Sequence, residues 1–115
     1  MAELSRDGDE LVLTLSALEQ AESIHGDIRV PASSVRAVEI LEDVIHAVHG
    51  LRLPGTAWPG KVAVGTFYTQ GTKTFAVVHH DTPRGLRVRL DGTLFDEFVI
   101  GCEDPEALQR RITES

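Results

Sequence analysis

Nearly every apolar stretch in this chain is short, alternates with a period of two and stops at a turn-forming residue. In "ELVLTL", residues 10–15, Leu11, Leu13 and Leu15 alternate with smaller or polar neighbours, as on a half-buried strand. "DIRVP" repeats the pattern at Ile28 and Val30 until Pro31 ends it, since proline cannot donate to a ladder. "SSVRAVEIL" alternates at Val35, at Ala37 or Val38, and at Ile40. "KVAVGTFYT" and "KTFAVVHH" flank Gln70-Gly71, a tight hairpin turn, and "GLRVRLD" leads through Asp91-Gly92 into "LFDEFVIG". Between the first two runs, "SALEQAESIHG" suits either a helical turn or a continuing edge strand.

Only the C-terminal segment changes period. Asp104-Pro105-Glu106 offers an N-cap, a first-turn proline and an acid at the positive end of a helix dipole. In "EALQRRI" Leu108 and Ile112 then share one face, with Arg110 and Arg111 in the last turns. Seven strands followed by one helix match neither a βαβ alternation nor a helical bundle. The economical arrangement is a mainly β fold: one antiparallel, seven-stranded bent sheet or barrel with the helix plugging an open end. A chain of 115 residues is a single domain. Residues 10–113 carry it, and residues 1–9 read as a flexible lead-in.

Charge narrows the partners. The net charge is −7, with 10 acids and 4 bases in residues 1–60 and 8 acids and 7 bases in residues 61–115. An acidic chain does not concentrate on phosphate backbones or anionic lipid, so nucleic acid and membrane are poor partners. Cys102 is the only cysteine, which fits a reducing compartment. With no membrane-length apolar run and no signal-like start, the expected location is the cytoplasm.

The stretches "GDIRVPASSVRAVEI", "HGLRLPGTAWPGKVAVGTF" and "DEFVIGCEDPEALQRRI" resemble a bacterial family of small proteins with a pleckstrin-homology-like (PH-like) fold. The resemblance spans about residues 10–113 and implies a PH-like barrel capped by the C-terminal helix. It implies little about activity, because this fold hosts many binding functions. Bacterial relatives of the fold often oligomerise. Membrane-binding PH domains cluster lysines and arginines around the first strand–strand loop. Here that stretch, "SALEQAESIHGD", holds Glu19, Glu22 and Asp27 and no Lys or Arg, so phosphoinositide binding is not supported.

One motif invites a nucleotide reading. "GTAWPGKV", residues 55–62, meets seven of the eight positions of the phosphate loop G-x-x-x-x-G-K-[ST]. The eighth, Val62, has no hydroxyl for magnesium. Pro59 removes a backbone N–H from the cradle. The following "KVAVGTFY" has the β-branched and aromatic content of a strand instead of the helix that a phosphate site needs. Pro54-Gly55 and Pro59-Gly60 instead suggest a double turn presenting Trp58 as a lid or as an exposed anchor.

Other chemistry is thinner. His46 and His49 would share a face of one helical turn near Asp43, a possible metal or general-base site. His79 and His80 point to opposite faces of a strand. Cys102, after Phe98 and Ile100, reads as an inert thiol. Asp96 and Glu97 diverge along a strand and make no cooperating pair. Lys73, Arg84, Arg87 and Arg89 could form a modest positive patch, although a solvated outer face accounts for them. Val77-Val78 and "FVI" at 98–100 put apolar side chains on both faces of their strands, as where an outer face is covered by a strand, a helix or a second subunit.

The expected function is a non-catalytic interaction module that binds a protein partner or its own copies, without cofactor or metal. Contacts are expected at His46, His49, Arg52, Trp58 and Lys61. The rival readings are a barrel with a small-molecule pocket near Trp58, and an enzyme using a histidine base or a metal in the 43–60 loop.

Overall fold

The alternating runs pair into two sheets. In a computed structural model describing residues 3–15, 27–47, 51–58, 62–69, 71–79 and 81–113, β1 (Glu3–Asp7), β2 (Glu10–Thr14) and β3 (Ile28–Pro31) form an antiparallel three-stranded sheet in that order. The second sheet holds β4 (Val35–Leu41), β5 (Leu51–Trp58), β6 (Val62–Thr69), β7 (Thr72–His79), β8 (Gly85–Leu90) and β9 (Glu97–Gly101). Its spatial order is β4-β8-β9-β7-β6-β5. A short helix, α1 (Val44–Ala47), precedes β5, and α2 (Pro105–Thr113) closes the chain.

This mainly β architecture departs from the expected barrel in three ways. Among the described residues there are nine strands, not seven, and the two sheets do not close into a barrel. The large sheet is not wholly antiparallel, because β9 inserts between β7 and β8 and runs parallel to β7. The sheet therefore ends at β4 on one side and β5 on the other. Finally, Glu3–Asp7 is a strand although it falls in the stretch expected as a flexible lead-in. Gly8, at φ 63°, turns the chain so that Asp7 faces Glu10 and β1 lies back on β2.

The inner faces of the sheets share one core. Leu4, Leu11, Leu13, Ile28 and Val30 come from the small sheet, and Val64, Phe75, Val77, Leu86, Val88, Phe98 and Ile100 from the large one. Helix α2 contacts β1 in one sheet and β4 and β8 in the other, and its Leu108 and Ile112 enter the same core. Its start follows the sequence signal: Asp104 Oδ1 accepts the Ala107 N–H at 3.1 Å. In β4 a bulge between Val35 and Ala37 settles the open alternation. Val38, not Ala37, follows Val35 onto the core, and Ile40 continues the phase.

Part of the outer face of the large sheet is covered within the same chain. Val44 of α1 buries a second cluster made of Phe67, Ala76, Val78 and Val99, so adjacent residues of β7 and β9 serve opposite cores. Two glycines let this cover approach. Gly85 and Gly101 are cross-strand partners, and a methyl group on Gly85 would stand 2.0 Å from the Ile100 carbonyl oxygen and 2.7 Å from Val44 Cγ1. Because backbone as well as side chain blocks the space, Gly85→Ala is expected to destabilise the fold by about 3 kcal/mol or more, at the upper end of overpacking costs. Urea denaturation monitored by circular dichroism would measure it.

Candidate functional site

Within the 43–60 segment, from which most of the expected contacts came, Val44–Ala47 forms a helix and Leu51–Trp58 a strand. Asp43 precedes α1, and His46 lies on that helix. The first half of the expected double turn gives way to β5, and Pro59-Gly60 lies outside the described residues. Pro54-Gly55 makes no reversal, because a register shift between Arg52 and Gly55 lets the strand absorb the proline and continue to Trp58. Arg52 pairs with Phe67 and Trp58 with Val62, which puts both in the last strand of the sheet. His49 and Lys61 lie outside the described residues. The phosphate-loop reading fails on the local structure: β6 begins at Val62, where a nucleotide loop needs a helix N-terminus.

The two ends of the large sheet differ in how they are protected. At the β4 end a bulge breaks the edge, Arg36 and Glu39 charge it, and Gln109 of α2 donates its side-chain N–H to the Val38 carbonyl at 2.9 Å. Bulges, charges and a covering helix are the usual guards of an exposed edge. At the β5 end Pro54 and the bulge guard the first half only. From Gly55 to Trp58 the strand pairs in continuous register with β6 and contains no charged residue. Among the described residues no strand pairs with its outer side.

The outer face next to this edge has an apolar part and a polar part. Cross-strand register places Arg89, Glu97, Thr74 and Phe67 in one row, continuing to Arg52. Glu97 Oε2 accepts from the Thr74 hydroxyl at 3.1 Å and lies 3.5 Å from Arg87 Nε. Arg87 Nη1 is 3.3 Å from Glu39 Oε1. The expected solvated face is thus corrected at Arg87: its side chain is 19% exposed and that of Glu97 14%, although Arg87 Nε lacks a hydrogen bond of good geometry.

Nor do the four late cations gather into a patch. Lys73 Nζ lies 5.8 Å from the ring centre of Tyr68 and 5.1 Å from that of Phe95, on the opposite face of the sheet from Arg87. Arg84 is held elsewhere, between Glu42 and Glu106. Asp96 and Glu97 do diverge. Asp96 Oδ2 accepts the Lys73 backbone N–H at 2.7 Å, while Glu97 serves Thr74 and Arg87.

Two features escaped the sequence because only tertiary register creates them. One is the Arg87–Glu97–Thr74 group. The other is the Arg84 fork, which donates to Glu42 Oε2 at 2.9 Å and, through Nη2, to Glu106 Oε2. It ties the start of α2 to the turn before α1. The hydrogen bonds from Arg84, and then Glu106's own backbone N–H, hold the Glu106 carboxyl below its usual range. Those to Glu106 and then Glu42 raise the guanidinium further above neutrality. Cys102 goes the other way: burial first, then the charge of Asp104, pushes its thiol up to about 11, which keeps it neutral and inert.

Among the described residues no group of three His, Cys, Asp or Glu could hold a metal ion, and no helix is long and apolar enough to cross a membrane. No family model, curated protein or solved structure matches the chain.

A depressed carboxyl stabilises the fold above its unfolded value, about 4.3, and loses that contribution as pH falls through the folded value. Arg84 stays charged throughout that range and adds no pH dependence of its own. The variant Arg84→Ala is therefore expected to lose less stability than the parent between pH 5 and pH 3. Thermal melts across that interval would show a shallower fall in Tm.

Proposed function

We propose that this chain is a non-catalytic interaction module that binds a protein partner or a second copy of itself through the outer edge of β5. The unequal guarding of the two sheet ends carries the reading. A charged, bulged and helix-capped β4 contrasts with an uncharged Gly55–Trp58 stretch at the far end. Added strands bind by main-chain hydrogen bonds along such an edge, with side chains on the adjoining faces giving selectivity. Arg52 and Trp58 lie on β5 itself and His46 on the helix that precedes it in the chain, and His49 and Lys61 adjoin them in sequence. They are the proposed contacts.

The PH-like assignment belongs to the same proposal. Two sheets with a single C-terminal helix between them support it, while the parallel β7–β9 pair departs from an all-antiparallel order. The acidic balance supports a protein partner over nucleic acid or anionic lipid, and the cytoplasm remains the proposed location. The rival pocket reading, near His46, His49 and Trp58, needs an open barrel end, and those side chains lie outside the described residues.

Native mass spectrometry tests the proposal. Species at multiples of 12.6 kDa, or a complex of protein mass, are expected. Ala57→Lys, which charges the unguarded stretch, should weaken association at least about tenfold while changing stability by less than about 1 kcal/mol. A monomer carrying a small ligand, or association that ignores Ala57→Lys, would overturn it.

A further inference from the structure

A second surface, remote from β5, has the geometry to receive an extended peptide. Between β1 and α2 lies a groove of about 730 Å³, within the range of ligand sites. Glu3, Leu4, Ser5 and Arg6 all line it. Successive side chains of a strand point to opposite faces, so four consecutive residues can border one groove only along the strand's edge.

The direction of that edge follows from the hairpin. Asp7 and Glu10 flank the two-residue turn at Gly8-Asp9, and the pair closing such a turn exchanges both hydrogen bonds. Alternation from there directs the backbone of Asp7, Ser5 and Glu3 at β2 and that of Leu4 into the groove. The phase recurs across β2. Pro31, which has no N–H, faces Glu10 at a position that needs none, and the Leu15 N–H turns away from β1 to Asp27 Oδ1 at 2.8 Å.

The opposite wall is helical. Leu108, Arg111 and Ile112 have the spacing of a single helix face, and Cys102 and Glu103 form the end where β9 passes into α2. Two of the charges here are already used inside the protein: Asp104 caps α2, and Arg6 donates to the Ile112 and Gly8 carbonyls. Of the other charges, Glu3 and Glu103 are exposed on the rim against one exposed base, Arg111, which leaves the acids in excess.

We infer that this groove binds an extended peptide segment as a fourth strand of the small sheet, hydrogen-bonded to Leu4. Its alternate residues would be apolar, packing towards Leu108 and Ile112, and basic, facing Glu3 and Glu103. An edge strand beside a helix is a general means of strand capture, and the rim carboxylates set the charge of the ligand. This site is independent of the β5 edge, and either can fail without the other.

The test is selection of a displayed library of random heptapeptides on the full chain, followed by titration of the enriched peptides in amide NMR. Peptides combining Lys or Arg with β-branched residues are expected. They should shift Glu3–Arg6 and Leu108–Ile112 saturably and slow exchange of the Leu4 amide by at least about fivefold. The exposed pair of substitutions Glu3→Lys and Glu103→Lys should weaken binding by a similar factor, with the fold intact by circular dichroism. Absence of enrichment, enrichment without basic residues, or shifts confined to β5 and β6 would overturn the inference.

Discussion

The structure depends on the insertion of β9 between β7 and β8. A strand in that position is flanked on both sides and covered on both faces, so its side chains must satisfy two cores at once. Phe98 and Ile100 meet the small sheet, and Val99 meets α1 and β7. That continuous apolar run is what a strand buried on both faces demands. It also sets the topology: with β9 parallel to β7, the large sheet cannot curl through an antiparallel meander into a barrel. Two free ends follow from this arrangement, and the chain treats them differently.

The remaining features brace that sheet. Gly85 and Gly101, side by side, lower its outer surface so that Val44 and the 81–84 connection can lie against it. Arg84, at the end of that connection, then grips Glu42 and Glu106 and so links the starts of both helices. At the β4 end α2 serves twice, filling the gap between the sheets with Leu108 and Ile112 and capping an edge carbonyl with Gln109.

Much of the fold was legible because period-two alternation reports burial directly. It located β2, β3, β4, β6, β7, β8 and β9 and the core faces of most of them, and the cap at Asp104 marked the final helix. What failed had tertiary causes. Strand order is a property of pairing, and no local pattern signals that β9 runs parallel to β7. Glu3–Asp7 is charged and too short to declare itself, becoming a strand only by lying on β2. Pro54-Gly55 carries the chemistry of a turn, yet a bulge accommodates both residues within β5. Arg87 reads as solvated because it alternates with the buried Leu86 and Val88, whereas Glu39 and Glu97 reach it only across strands. Nothing in the 43–60 stretch signals that Leu51–Trp58 is the last strand of a sheet, because that too is a property of pairing.

Hydrogen exchange on the intact protein at two concentrations tests the central claim most directly. In dilute solution the amides of Phe75, Val77, Phe98 and Ile100 should exchange only through global unfolding, and the amides of Gly55–Trp58 at least about a hundredfold faster. Raising the concentration, or adding a bound partner, should slow exchange in β5 and leave β7 and β9 unchanged. If β5 is as protected as β7 in the dilute monomer, its edge is already covered and the account of an open docking strand is wrong.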